Sequence, residues 1–146
     1  MTQQDPEHGI RELFRGVWNN EDTEIASDLV HEDYLIHDRD IANELRGPEL
    51  YRTLAKETRE IFPDANFTIE DIFSVEDRVA VRWVMVGTHE GVLYGIEPTG
   101  QEITLPAVEI NRFQDGVLRE TWAQSDIFGV ITQLNENPSN IRDSNR

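Results

Sequence analysis

With 146 residues, the chain has room for one domain with a sizeable core but not for two ordinary ones. Its formal charge of −16, from 29 acidic against 13 basic side chains, opposes binding to a phosphate backbone, and the absence of cysteine removes disulfides, thiolate catalysis and zinc-thiolate sites. No apolar run approaches the roughly 18 to 20 residues of a bilayer span, and MTQQDPEHG shows no signal peptide, so a cytoplasmic protein is expected, with neither nucleic acid nor membrane as partner.

Lys56 is the only lysine, the other basic residues being arginine. An acidic surface nearly devoid of lysine is typical of proteins from salt-loving organisms, where screening removes self-repulsion, whereas a GC-rich genome replaces lysine by arginine for coding reasons. Charge alone fits both.

In chain order, EHGIRELFRGVWNN places Ile10, Leu13, Phe14, Val17 and Trp18 at helical spacing and predicts an amphipathic first helix. Asp22 suits the cap of a second, with Ile25, Ala26, Leu29 and Val30 inward. DYLIHD, residues 33 to 38, reads as a strand or an extended entry. A third helix is expected from about Pro48 through Leu50, Tyr51, Leu54, Thr58 and Ile61, stopped by Pro63.

After Pro63 the period changes to two. FTIEDIFSV, RVAVRWVMVGTHEG, QEITLPAVEINRF and GVLRETWAQSD read as strands, with turns at Glu76-Asp77, Pro98-Thr99-Gly100 and Asp115-Gly116. Of these, Gln114-Asp115-Gly116 is the strongest hairpin signal. A closing helix runs from Asp126 or Ile127 to about Leu134, and the chain is read as a single domain over 1–134 followed by a flexible tail, 135–146. Helices followed by a run of strands predict an α+β fold, with a curved antiparallel sheet packed on the N-terminal helices and a cavity between them.

The run GTHEGVLYGIEPTGQEITLPAVEINRFQDGVLRETWAQSD, residues 87 to 126, with YLIHD and RGPELYR upstream, resembles the SnoaL-like polyketide cyclase or ester cyclase family over about residues 8 to 134. The pattern GTHxGxxxGIxPTG carries most of that likeness. The resemblance implies a nuclear transport factor 2-like fold, a cone-shaped half-barrel. It also implies a ring closure by intramolecular aldol condensation of a hydrophobic small molecule, without cofactor or metal, in which a pocket carboxylate acts as acid and base. Curved sheets of this fold commonly pair, so a homodimer is expected.

Asp126 matches the family's acid near the end of the last strand. By alternation Leu118, Glu120, Trp122, Gln124 and Asp126 share a face, and if that face is concave Asp126 lies beside Trp122 in the cavity. An aspartate just before an apolar helical run is equally a favoured N-cap. His37 matches a histidine that lines the family's cavity, where imidazole holds substrate or tunes the acid, while a histidine bonded at a strand end is the plainer reading. His89 of GTHEG also matches, and beside Gly87 and Gly91 it suits a turn organiser better than a ligand contact. Glu109 alternates with Leu105, Ala107 and Asn111, so it either faces the cavity as a second carboxylate near Asp126 or covers an exposed face. Trp83, Trp122, Phe62 and Tyr94 are the aromatics expected around a flat hydrophobic ligand, and Tyr34 joins Tyr94 as a candidate donor for a ketosteroid-isomerase-like or epoxide-hydrolase-like reaction. A domain that binds a ligand without turnover is the remaining alternative.

Other motifs fail. HEDYL, residues 31 to 35, begins like a zinc-protease HExxH but has Leu35 where the second histidine belongs, and four scattered histidines lack ligand spacing. GxSxG, phosphate-loop and GxGxxG patterns are absent from the chain.

Overall fold

The computed structural model describes residues 5–37 and 44–135. Asp38 and the tail expected beyond residue 135 lie outside the described residues.

Helix α1, Pro6–Leu13, starts where Asp5 accepts the Glu7 N–H at 3.0 Å and Pro6 occupies the first turn. It continues as a wider π-type turn, Phe14–Asn19, which keeps Phe14 and Val17 in the core. Asn19 then acts as a neighbouring strand would, donating to the Phe67 carbonyl at 2.9 Å and accepting the Phe67 N–H at 2.7 Å. Asp22 makes no capping bond with its side chain, because a tight turn, Thr23–Ile25, follows it and its carbonyl takes the Ile25 N–H instead. Helix α2 is therefore only Ala26–Leu29, and Val30, expected to close it, opens strand β1, Val30–His37.

Helix α3, Gly47–Ile61, buries Leu50, Tyr51, Leu54 and Ala55, and ends as the period reading expects. Strands β2 (Asn66–Val75), β3 (Arg78–Thr88), β4 (Glu102–Gln114) and β5 (Val117–Ser125) form an antiparallel meander, and helix α4, Ile127–Asn135, closes the described chain. Between β4 and β5, Asp115 and Gly116 both have left-handed φ, 55° and 81°, the conformation a two-residue hairpin turn requires.

The sheet order is β1-β5-β4-β3-β2, and β1 runs parallel to β5. In this the sheet departs from the wholly antiparallel one expected. Strand β1 is followed by helix α3 rather than a hairpin, so it has no sequence-adjacent partner and joins the open edge of β5. Strands β1 and β2 both stay edges, so the sheet curves without closing.

The period-two reading holds in β3, where Val79, Val81, Trp83 and Met85 are buried, and in β4, where Ile103, Leu105, Ala107, Asn111 and Phe113 are. With Ile10, Leu13, Val17, Tyr34, Leu54 and Leu118 they make one contiguous core. Each such aliphatic or aromatic side chain contributes about 1.5–3 kcal/mol by leaving water. Alternation fails in β5. Arg112 pairs with Glu120 but Phe113 pairs with Leu118, so Arg119 is an extra residue on the bulged strand.

Candidate active site

Because a bulge advances the side-chain alternation by one residue, β5 turns Leu118 inward before it and Thr121 and Ala123 inward after it. Glu120 and Trp122 point to the outer face. This corrects the expected grouping of Leu118, Glu120, Trp122, Gln124 and Asp126 on one face, and with it the placing of Trp122 in the cavity.

The inner face and the helices enclose a cavity of about 520 Å³. Aromatic rings dominate its wall: Phe14 and Trp18 from the first helical segment, Tyr34 from β1, Tyr51 from α3, Phe62 after it, Phe67 from β2 and Trp83 from β3. Phe14, Phe67 and Trp83 pack edge-on or tilted with centroids 5.3 to 6.4 Å apart.

Polar groups in this wall form a directed chain. The Tyr34 hydroxyl donates to Thr121 Oγ1 at 3.0 Å, Thr121 donates to Asn111 Oδ1 at 2.7 Å, and Asn111 Nδ2 donates to Glu109 Oε2 at 2.8 Å. From the other side Trp83 Nε1 donates to Glu109 Oε1 at 2.8 Å. Every hydrogen in the chain thus runs toward one carboxylate, and Glu109 lines the cavity. These bonds hold the Glu109 carboxylate in place in the cavity wall. Nearby, Trp18 Nε1 donates to the Tyr51 hydroxyl at 2.7 Å. Burial, with nearby Tyr34 and the Glu109 carboxylate adding to it, pushes the Tyr51 pKa well above its ordinary value, so Tyr51 keeps its proton.

The expected residues divide accordingly. Tyr34, Phe62, Trp83 and Glu109 line the cavity, and Tyr94 lines it from an exposed position. His37 does not face it. Its neighbour Ile36 does, and His37 lies on the outer face, stacked on Trp122 at 4.9 Å with its Nε2 2.8 Å from Glu120 Oε2. Arg112 Nε donates to the other Glu120 oxygen at 2.6 Å, and the Arg78 guanidinium lies 5.4 Å from the Trp122 ring centre. Burial alone would raise the Glu120 pKa, but the bonds from His37 and Arg112 outweigh it and hold that carboxyl below its ordinary range.

Asp126 is exposed, and its Oδ1 accepts the Gly129 N–H at 2.9 Å, so the carboxylate caps α4. Its own N–H is spent on the Pro106 carbonyl. His89 is fully buried and organises the 89–101 loop: Nδ1 accepts the Thr99 N–H, while its backbone exchanges bonds with Gln101 and Gly100. Gly91 fits the same loop against the end of α3, where a Cβ would lie 2.5 Å from the Glu60 carbonyl oxygen.

Sequence reasoning assigned no role at the site to Tyr51, Asn111, Thr121 or Trp18. Asn111 carried a signal, a polar residue at an inward position of a regular strand. Tyr51 read only as core.

Comparison with known proteins agrees with this architecture. Residues 8–134 match the family model for the SnoaL-like polyketide cyclase. Aklanonic acid methyl ester cyclase AcmA of Streptomyces galilaeus is 27% identical over 122 residues, 82% of this chain and 83% of that protein. Wild-type IdmH of Streptomyces antibioticus superposes with a TM-score of 0.77 at 29% identity, over 90% of this chain and 99% of that one. A SnoaL-like polyketide cyclase of Agrobacterium tumefaciens, 18% identical, shares the fold with a TM-score of 0.76 over 90% of this chain and 98% of that one. A curved α+β sheet over an aromatic cavity, with a family match spanning nearly the whole described chain, means that this chain belongs to the SnoaL-like polyketide cyclase family.

Proposed function

We propose that the chain closes a ring in a hydrophobic carbonyl compound by acid/base chemistry in the aromatic cavity, with Glu109 as the proton-transferring group. The observation that carries this reading is the donor chain ending on a carboxylate in the cavity wall. Glu109 takes a proton from a carbon next to a carbonyl, and the C–H electron pair becomes an enolate. Tyr51, fixed by Trp18 and protonated at any working pH, donates to the developing oxyanion. The enolate carbon attacks a second carbonyl of the same molecule, and the new alkoxide recovers the proton from Glu109. Atoms balance without an external oxidant or reductant.

Charge narrows the substrate. Among the described residues lining the cavity, Glu57 and Glu109 are acidic and none is lysine, arginine or histidine. A free carboxylate would enter without a counter-charge, which favours a neutral compound whose acid is esterified. The curated relative, named for a methyl ester, supports the same class.

Aklanonic acid methyl ester is the compound to test, with cyclised product followed by chromatography and mass spectrometry. Glu109→Gln should lower turnover by about a hundredfold or more and, because its amide NH2 must face the N–H of Trp83 or Asn111, also lower the unfolding midpoint somewhat while keeping the fold by circular dichroism. Parent-like turnover by this variant overturns the assignment. Binding without turnover is the second reading, favoured by the fact that His37 and Asp126 both lie away from Glu109's cavity.

The partner we propose is a second copy of the chain. One row of outward residues crosses all five strands: His37, Trp122, Ile110, Ala80 and Phe73 in successive register. Phe73 is 63% exposed and Ile110 40%. On this face Arg82 pairs with Asp71 and Arg112 with Glu120, and Arg78 lies over the Trp122 ring, which lowers the charge repulsion that two copies meeting here would feel.

A further inference from the structure

At the cavity mouth, the segment between Gly91 and Gln101 carries a second, smaller hairpin. Leu93 and Ile96 exchange both backbone bonds, at 3.0 and 2.8 Å, around Tyr94 and Gly95, whose φ angles are +46° and +79°. Glycine accepts that conformation freely; tyrosine does not, and a turn of this kind ordinarily takes asparagine, aspartate or glycine at its first position. Tyr94 gains nothing from burial in exchange, since it is 72% exposed. Its neighbour Val92 is 54% exposed, and both line the cavity.

The roots of the segment are pinned. His89 and Gln101 bond across its base, Gly100 donates to the His89 carbonyl, and Glu90 and Gly91 donate to the carbonyl of Ile61 at the end of α3. The strained ring is thus carried by a turn whose base is anchored to α3 and to the strand ends. A left-handed tyrosine at an exposed tip is explained by what the tip faces rather than by the turn itself.

We propose that Tyr94 is a specificity-determining residue, an aromatic lip that stacks on the part of a flat ligand projecting from the cavity and so favours extended over compact ring systems. This rests on the cavity being the ligand site. The exposed ring of Tyr94 and the apolar side chain of Val92 are covered when a long ligand is bound and left in water when a short one is.

Two neutral compounds separate these cases: Nile red, a flat fused dye long enough to reach the mouth, and 2-acetylnaphthalene, small enough to stay inside. Affinities are measured by fluorescence titration for the parent, Tyr94→Asn, Tyr94→Phe and Ala123→Trp, the last filling the cavity from β5. Tyr94→Asn should weaken Nile red by about five- to tenfold, the weight of one aromatic stacking contact, and leave 2-acetylnaphthalene unchanged. Its unfolding midpoint should equal or exceed the parent's, because asparagine relieves the left-handed strain, and Tyr94→Phe should bind both compounds as the parent does. Ala123→Trp should abolish both. If Tyr94→Asn binds both as the parent does, or weakens both equally, the lip is overturned while the cavity reading stands. If Ala123→Trp still binds both, the cavity is not the site and both readings are overturned.

Discussion

Asp126 is spent on capping a helix, while Glu109 is the carboxylate we propose for the chemistry. Asp126 satisfies a backbone N–H that α4 leaves unbonded, so Asp126→Ala should cost about 1 kcal/mol in chemical unfolding and Asp126→Asn only a few tenths. Neither should change turnover, whereas Glu109→Gln should. Two other carboxylates should contribute to acid stability. Asp64 accepts both the hydroxyl and the backbone N–H of Thr88 at 2.7 Å, which lowers its pKa, and Glu120 is lowered by His37 and Arg112 against the cost of burial. A folded-state pKa below the unfolded one contributes stability that is full above the ordinary carboxyl pKa of about 4 and is lost as pH falls through the depressed value. Asp64→Asn should therefore lower stability at neutral pH and flatten its decline as pH falls below about 4, followed by unfolding midpoint against pH. A variant curve parallel to the parent's would show that the Thr88 bonds do not carry the dependence.

Among the elements, β5 shows what one extra residue does. Were Arg119 an ordinary paired residue, the alternation set by Leu118 would send Glu120 and Trp122 into the cavity and Thr121 out of it. Deleting Arg119 should therefore keep both faces and the fold, with only a modest loss of unfolding midpoint from its bond to the Asp33 carbonyl, and a variant that fails to fold would show that the bulge itself is required. The Asp115-Gly116 turn depends instead on backbone conformation. A Cβ at Gly116 would meet nothing within 4 Å, so Gly116→Val tests φ alone, and its cost should be about 1 kcal/mol or more by thermal or chemical unfolding. That hairpin was legible because two adjacent residues determine it. The bulge was not, since nothing in GVLRETWAQSD distinguishes an extra arginine from a regular one until β4 is laid beside it.

For the whole molecule, net charge and the outer sheet face act together. At −16 on one small domain most carboxylates lack a basic partner, and their repulsion extends about 30 Å at 0.01 M salt but only about 3 Å at 1 M. The unfolding midpoint should rise with potassium chloride. A rise that continues toward about 3 M marks adaptation to a saline interior, and a plateau near about 0.5 M marks screening alone. Screening also favours self-association, so sedimentation should show a dimer strengthened by salt. Ile110→Asp should dissociate it by placing a new charge in the centre of the apolar row. A monomeric parent at all salt concentrations would remove the proposed interface.

Local chemistry was enough for the sequence to determine the helices α1 and α3, the four-strand meander, the Asp115-Gly116 hairpin and, through the family resemblance, the fold. Periodicity, turn residues and caps act between residues close in the chain. Tertiary structure decided the parallel placement of β1, the bulge in β5 and the resulting exchange of faces. These put Trp122 and His37 outside and joined Tyr34, Thr121, Asn111 and Glu109, whose partners lie up to 87 positions apart, into one donor chain. The direction of a side chain on a strand depends on register with a neighbour distant in sequence, and a register slip of one residue reverses it.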